Sequence, residues 1–337
     1  MGISRLAIRF LVLAALLAAG NVAQAGNQVL SQDLDYYDVG DLETPRAAKT
    51  EPAMMLMGGG DWVPEAFHWW LEKAGNGHIV ILRASGADEL QERMYEEIGG
   101  AASVQTLVFR DRAPANDPKV LEIIQGADGI FIAGGDQSRY IRYWKGTALN
   151  EALNQHVRDG KPIGGTSAGL AILGRYAYGA MDGGSVTSDN ALQDPLGTAM
   201  ELDSGFLDMP YLSNVVTDTH FAKRNRLGRL IAFVARAERE RGKVGVVGIG
   251  VDEDTALCVD ADGSARVYSL NDGYAWLVKP QHSAKQLDAG QPLGFDAVPV
   301  IGVGTNSRLY LDGFRVEEPA FHATVDVDAG ELSVRGH

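Results

Sequence analysis

Ser167 sits in Gly165-Thr166-Ser167-Ala168-Gly169, a G-x-S-x-G pattern directly after Lys161-Pro162-Ile163. A serine hydroxyl is a poor nucleophile at its own pKa; it needs a base within hydrogen-bond reach and an acid to orient that base. The pattern is short and recurs by chance, so its meaning depends on those partners. The chain has seven histidines. His68 and His156 fall in helix-like segments, His78 opens a strand-like run, and His282, His322 and His337 lie in the C-terminal part. His220 instead closes the run Asn214-Val215-Val216-Thr217-Asp218-Thr219, which places it at a strand's carboxyl end like Ser167. It is the candidate base. Asp182, Asp189, Asp194, Glu201, Asp203 and Asp208 all lie between the two, and pattern alone does not rank them as the acid.

Arg224, Arg226 and Arg229 follow His220 at a strand-to-helix junction. Cations are disfavoured at a helix N-terminus, so three of them there need a reason. A solvated, salt-bridged face is one; reading substrate carboxylates with the guanidinium fork is the other. On a regular helix Arg226 and Arg229 share a face while Arg224 points away from Arg226.

The surrounding elements give these residues an address. Apolar runs at 53–57, 78–82, 104–109, 129–132 and 162–164 alternate with helical patterns at 64–73, 88–98, 117–125 and 147–158. Short unalternating runs between helices describe a parallel sheet covered on both faces, hence a doubly wound α/β domain with its ligands beyond the strands' carboxyl ends. Gly58-Gly59-Gly60, Ala133-Gly134-Gly135-Asp136-Gln137 and the Ser167 turn should then gather along one edge of the sheet. None has the spacing of a dinucleotide fingerprint or a P-loop. A helical stretch follows from 221 to 241, then a strand at 244–251 ending in Asp252-Glu253-Asp254. That acidic triplet lacks the spacing of a calcium loop. It reads as a turn, or as a site for a substrate guanidinium. From about 264 onward, two-residue alternation with Asp/Gly turns predicts β-hairpins.

The N-terminus is expected to be removed. Arg5 and Arg9 precede the apolar run Phe10–Ala19, and Ala23-Gln24-Ala25 supplies a cleavage site before Gly26. This is the pattern of a secretory signal peptide, and it predicts a secreted or periplasmic protein. The expected organisation is signal peptide 1–25, leader or linker 26–50, α/β domain 51–280 and a β-rich extension 281–337. The formal net charge of −14 becomes −16 once Arg5 and Arg9 leave. Such an acidic chain excludes nucleic acid and anionic membranes as natural partners. Cys258, the single cysteine, lies in an apolar alternation and reads as a buried structural thiol. No motif calls for a cofactor or a metal.

The motifs taken together carry a resemblance. Gly134-Gly135-Asp136-Gln137, Gly165-Thr166-Ser167-Ala168-Gly169, the run from Asp218 through His220 and Arg224 to Leu230, and Gly248 to Leu257 are similar to cyanophycinases, in the same order, over roughly residues 53–280. Those are serine exopeptidases related to the aspartyl dipeptidase peptidase E. The resemblance implies the class I glutamine-amidotransferase-like α/β fold, with serine where the amidotransferases carry cysteine. It makes Ser167 the nucleophile and His220 the base. Peptidase E has a Thr-x-Asp segment that Thr187-Ser188-Asp189 resembles, so Asp189 is the expected acid, with Asp182 as the alternative; cyanophycinases place a glutamate in this region. The oxyanion hole would be the amides of Ala168 and of Gly134 or Gly135. Gln137, Asp218, Arg224, Arg226 and Arg229 would bind substrate.

The family's substrate is cyanophycin, a polyaspartate with arginine on each side chain, cleaved to β-aspartyl-arginine dipeptides. Related aspartyl peptides would suit the same residues, and a homodimer is compatible with them. Thr219 departs from the family, which usually has glutamine there. Two other classes remain from the residues alone. A secreted α/β-hydrolase-type esterase would share the order serine, acid, histidine, but no His-Gly-Gly-Gly-type motif is present and the serine-to-histidine connection is short for that fold. A non-catalytic binding protein of the same fold would have no use for the serine, histidine and acid.

Overall fold

The computed structural model describes residues 28–31, 33–86, 89–242 and 244–336. The proposed signal segment lies outside them. Among the described residues, the strands form an 11-stranded and an 8-stranded sheet. The fold is mixed α/β with a parallel centre, as the run of apolar segments predicts.

The centre of the larger sheet is five adjacent parallel strands, in the order Ser103–Phe109, His78–Arg83, Gly129–Ile132, Ile163–Thr166 and Ala53–Met57. Three of them are buried at every position (Ala53–Met57, Gly129–Ile132 and Ile163–Thr166), which explains their lack of alternation. Helices Pro64–Lys73, Pro118–Gly126, Gln137–Trp144 and Ala148–Arg158 connect or cover these strands. The 88–98 helical pattern is a short α-helix, Leu90–Glu92, running into a π-helical turn, Arg93–Ile98. Trp70, Phe67 and Phe131 pack on one side of the sheet, and Tyr140 and Trp144 stack on the other. All five are fully buried, and each such side chain contributes about 1.5–3 kcal/mol relative to exposure.

Residues 26–50 are not simply a leader. Leu34–Gly40 pairs antiparallel along its whole length with Ser103–Phe109, and Gln28–Ser31 adds a further strand outside it. The strand's interleaved Asp35 and Asp38 give it a polar texture, yet Leu34, Tyr36 and Val39 are buried.

The smaller sheet has Val215–Asp218 and Val247–Val251 as parallel neighbours, joined by helix Leu227–Arg241. Ala275–Val278, Phe295–Val303, Phe321–Asp328 and Glu331–Gly336 extend it antiparallel on one side. Tyr176–Tyr178 and Leu202–Ser204 extend it on the other. The C-terminal part is therefore no separate unit after residue 280. Phe295–Val303 pairs directly with Ala275–Val278, while Arg308–Tyr310 and Arg315–Glu317 join the larger sheet beyond Ser264–Ser269.

One continuous apolar cluster joins the sheets, with Leu56, Leu257 and Val259 from one and Val215, Ile249 and Leu277 from the other. The chain crosses between them at residues 252–254, the turn that links Val247–Val251 to Thr255–Asp260. Cys258 is buried in that second strand, and burial raises its thiol pKa well above the usual value. Among the described residues no helix is long and apolar enough to cross a membrane.

Candidate active site

Ser167 follows Ile163–Thr166 and precedes the short helix Ala168–Ala171. Its backbone has φ +51° and ψ −118°, an unfavourable conformation for a residue with a side chain. Strain of this kind persists only where surrounding structure fixes it, and a sharp strand-to-helix turn lifts the hydroxyl clear of the sheet. Here the Ser167 amide donates to Met57 O at 3.1 Å. Gly169 allows the turn to close, because a Cβ there would run into the carbonyl of Ile132.

His220 lies beyond the end of Val215–Asp218 in the other sheet, so serine and histidine do not share one sheet edge. The Gly58–Gly60 turn brings them together. The His220 amide donates to Gly58 O at 2.7 Å, and a Cβ at Gly59 would collide with the imidazole. Ser167 Oγ and His220 Nε2 are 2.7 Å apart.

The carboxylate on the other ring nitrogen is that of Glu253, with Oε1 2.7 Å from Nδ1. Asp189 does not reach the histidine. It is exposed in the first turn of helix Ser188–Gln193 and lines a different groove. Asp182 is exposed in the preceding loop. The expected acid is thus corrected to a residue after the histidine in the chain. Glu253 lies outside the segment between serine and histidine, although a carboxylate just past the strand that neighbours Val215–Asp218 is a usable signal.

The rest of the acidic triplet holds that turn. Asp252 accepts from the amides of Ala222 (2.8 Å) and Tyr274 (2.9 Å) and from the Trp276 indole (3.1 Å). Asp254 accepts from the amide of Asp61 at 2.6 Å and from the Asn271 amide group at 3.1 Å. The outer carboxylates are consumed by backbone and side-chain donors, which leaves the middle one for the imidazole. Among the described residues no cluster of three His, Cys, Asp or Glu side chains could hold a metal ion.

A cavity of about 280 Å³ opens over Ser167 and His220. Ala168 and Gly135 line it beside the serine, with Gln137, Thr219, Arg224 and Arg226 around them. Tyr140 fixes the Gly135 loop from below, donating to Ala133 O at 2.8 Å and Gly134 O at 3.1 Å.

The arginines divide. Arg224 is exposed in the cavity wall, and Arg226 lines it while donating to Thr219 O at 2.7 Å and Thr219 Oγ1 at 2.9 Å. Burial lowers the Arg226 pKa to about 10, which still leaves it cationic at neutral pH. Arg229 does not line the cavity. Its guanidinium grips Asp218 with both arms (2.8 and 2.5 Å), donates to Ser185 Oγ at 2.6 Å, and lies over the Tyr178 ring. Asp218 and Arg229, both 2% exposed, therefore bind each other rather than substrate. Arg229→Ala should leave the buried Asp218 carboxylate with only the Thr219 amide at 2.8 Å and the distant Arg226 guanidinium at 3.5 Å, costing about 3 kcal/mol of stability in a denaturant melt. Loss of specificity at unchanged stability would contradict that assignment.

Burial pushes the His220 pKa below the ordinary histidine value; the Glu253 hydrogen bond opposes this, and Arg224 and Arg226 add to the lowering. A general base must be neutral, so the acid limb of kcat/KM should fall below pH about 6.5. Arg224→Gln removes a cation that disfavours imidazolium, so the limb should move to higher pH. A pH–rate profile on a neutral ester checks the sign; a shift to lower pH would contradict it.

Known proteins bear on this arrangement. The family model for peptidase family S51 matches residues 88–267, a segment that contains Ser167, His220 and Glu253. A cyanophycinase of Trichormus variabilis is 29% identical over 299 residues, covering 84% of this chain and 92% of its own. A cyanophycinase of Synechococcus elongatus is 34% identical over 222 residues, covering 64% of this chain and 63% of its own. Among solved structures, a peptidase from an acI-B1 Actinobacterium is similar with TM-score 0.48 and 17% identity, covering 69% of this chain and 96% of that one. The family match spans more than half of the chain, and the chain belongs to peptidase family S51, as a serine-type peptidase.

Proposed function

We propose that this protein is an exported cyanophycinase-like exopeptidase, acting on multi-arginyl-polyaspartate or related aspartyl and β-aspartyl peptides. The observation that carries it is the unbroken chain Ser167 Oγ, His220, Glu253, with 2.7 Å at both contacts, opening into a cavity edged by cationic side chains. Ser167 Oγ attacks the scissile carbonyl as His220 Nε2 takes its proton. His220 then gives that proton to the departing amine, leaving an ester on Ser167. Water, deprotonated by the same ring, hydrolyses the ester. Glu253 holds the ring's tautomer and stabilises the imidazolium formed in each step. The amides of Ala168 and Gly135, residues that line the cavity beside Ser167, would donate to the oxyanion. Export rests on the N-terminal sequence pattern.

For substrate, Arg226 and Arg224 present positive charge to the cavity, and a carboxylate is the group a guanidinium fork reads best. Gln137 offers an amide for the substrate backbone. Arg226→Ala should remove charge-assisted bonds worth about 1.5–3 kcal/mol, or about tenfold to more than a hundredfold in kcat/KM on an aspartyl peptide. A neutral ester should lose little, and Arg226→Lys should recover part of the loss. Equal losses on both substrates would mean that Arg226 supports the fold and does not read carboxylates.

The direct test incubates the purified protein with cyanophycin and with aspartyl dipeptides, and identifies products by mass. Release of β-aspartyl-arginine is expected. Cleavage of acyl esters without any peptide product would overturn the substrate assignment.

A further inference from the structure

Ser185 lies on the connection between strand Tyr176–Tyr178 and helix Ser188–Gln193, and it lines the catalytic cavity. Gly183 and Gly184 precede it, and a Cβ at either would meet nothing within 4 Å, so packing does not hold this loop. Hydrogen bonds do. The Tyr178 hydroxyl donates to Gly184 O at 3.1 Å and accepts from the Val186 amide at 3.0 Å, so one buried phenol pins the backbone on both sides of Ser185. Tyr178 is fixed in turn by its stack on Phe233, 4.7 Å between ring centres. Arg229 Nη1 adds a bond to Val186 O at 3.1 Å.

The Ser185 side chain is held as closely. Its Oγ accepts from Arg229 Nη1 at 2.6 Å and from Arg226 Nη2 at 3.3 Å. A hydroxyl has two acceptor lone pairs and one hydrogen. Two guanidinium donors occupy both lone pairs, so Ser185 can engage a third group only as a donor. Among the described residues that hydrogen meets no acceptor. Accepting from two cations also polarises the O–H bond and makes it a stronger donor. Arg229 does not line the cavity, yet its charge acts there through this hydroxyl.

Arg226 has a matching group to offer. Its Nη1 donates to Thr219 O and Thr219 Oγ1, whereas Nη2 gives Ser185 one of its two hydrogens and keeps the other. Nη2 and Ser185 Oγ are 3.3 Å apart, so both oxygens of one carboxylate can meet the two donors at once. A ligand group at this point must accept and bring no hydrogen of its own, which a carboxylate does and an ammonium or guanidinium does not.

Resting on the reading of Arg226 as a carboxylate-binding residue, we propose that Ser185 is a further substrate-binding residue of the cavity. Its hydroxyl donates to the same substrate carboxylate that Arg226 Nη2 receives, and Arg229 and Tyr178 are the positioning residues that aim it.

Inhibition of neutral-ester hydrolysis by an aspartyl dipeptide tests this, because the inhibition constant reads binding whether or not the dipeptide is cleaved. Competitive inhibition of the wild type is expected. Ser185→Ala should raise the inhibition constant about tenfold, and Ser185→Thr, which keeps a hydroxyl, should stay within about threefold of wild type. A serine that only propped Arg226 would give the same first result, so the deciding comparison is made in an Arg226→Ala background. There the 2.6 Å bond from Arg229 still orients the hydroxyl, and adding Ser185→Ala should raise the constant by a further factor of about three or more. No further rise in that background would reduce Ser185 to a support for Arg226 and overturn the proposal. So would a wild type that the dipeptide does not inhibit, or Ser185→Thr as weak as Ser185→Ala. Circular dichroism verifies the fold of each variant. A dipeptide that binds through Ser185 yet yields no peptide product sinks the exopeptidase reading alone. Cleavage with an inhibition constant indifferent to Ser185 sinks this inference alone.

Discussion

Ser167→Ala should abolish turnover, with kcat falling on the order of 10⁶-fold while the protein still folds. The change removes one hydroxyl, whose partner is His220 Nε2 at 2.7 Å, and leaves the turn's backbone contacts to Met57 and the close packing at Gly169 in place. Stability should therefore shift by no more than about 1 kcal/mol. His220→Ala should fall to a similar residual rate, and the double variant should be hardly slower than either, because groups that act as one unit lose their contribution together. Steady-state rates on one peptide substrate, with thermal melts of the same samples, check both parts. Turnover near wild type in folded Ser167→Ala would remove the nucleophile from the account.

The second large effect separates the acids. Glu253→Gln keeps the size of the side chain but removes its charge, so the imidazolium formed in the transition state loses its counter-ion and the ring loses its fixed tautomer. A fall in kcat on the order of 10⁴ is expected, with little change in KM. Asp189→Asn should stay near wild type, since that carboxylate is exposed and lines a groove away from the histidine. The reverse outcome would restore Asp189 and leave the 2.7 Å contact of Glu253 without a catalytic purpose.

The parallel centre was legible because burial writes itself directly into sequence. Ala53–Met57 and Gly129–Ile132 are buried at every position, and uninterrupted apolar runs mark both. Ser167 was legible for a related reason: two glycines are demanded by close backbone approach, and the turn they permit has a recognisable spacing. Leu34–Gly40 was hidden because this antiparallel strand fully buries only some of its side chains, and Asp35 and Asp38 resemble a linker. The division into two sheets was hidden because strand partners far apart in sequence leave no local trace. Ser167 and His220 each end a strand, but nothing in the spacing says that the strands belong to different sheets.

Glu253 was not legible as the acid, because it follows the histidine in the chain and sits in an acidic triplet that reads as a turn. The fold brings an acid from beyond the histidine, across the inter-sheet turn that Asp252 and Asp254 fasten. The arginines show the converse limit. Periodicity correctly groups Arg226 with Arg229, and both reach Asp218 and Ser185. It cannot say that the carboxylate Arg229 grips belongs to the protein itself while Arg226 lines the cavity.

The most direct measurement of the central claim is intact mass after treatment with a serine-directed fluorophosphonate, followed by peptide mapping. A neutral imidazole at hydrogen-bond distance activates one hydroxyl, so the expected result is a single adduct per chain, located on Ser167. No adduct, or an adduct on any other residue, would contradict the Ser167–His220–Glu253 account.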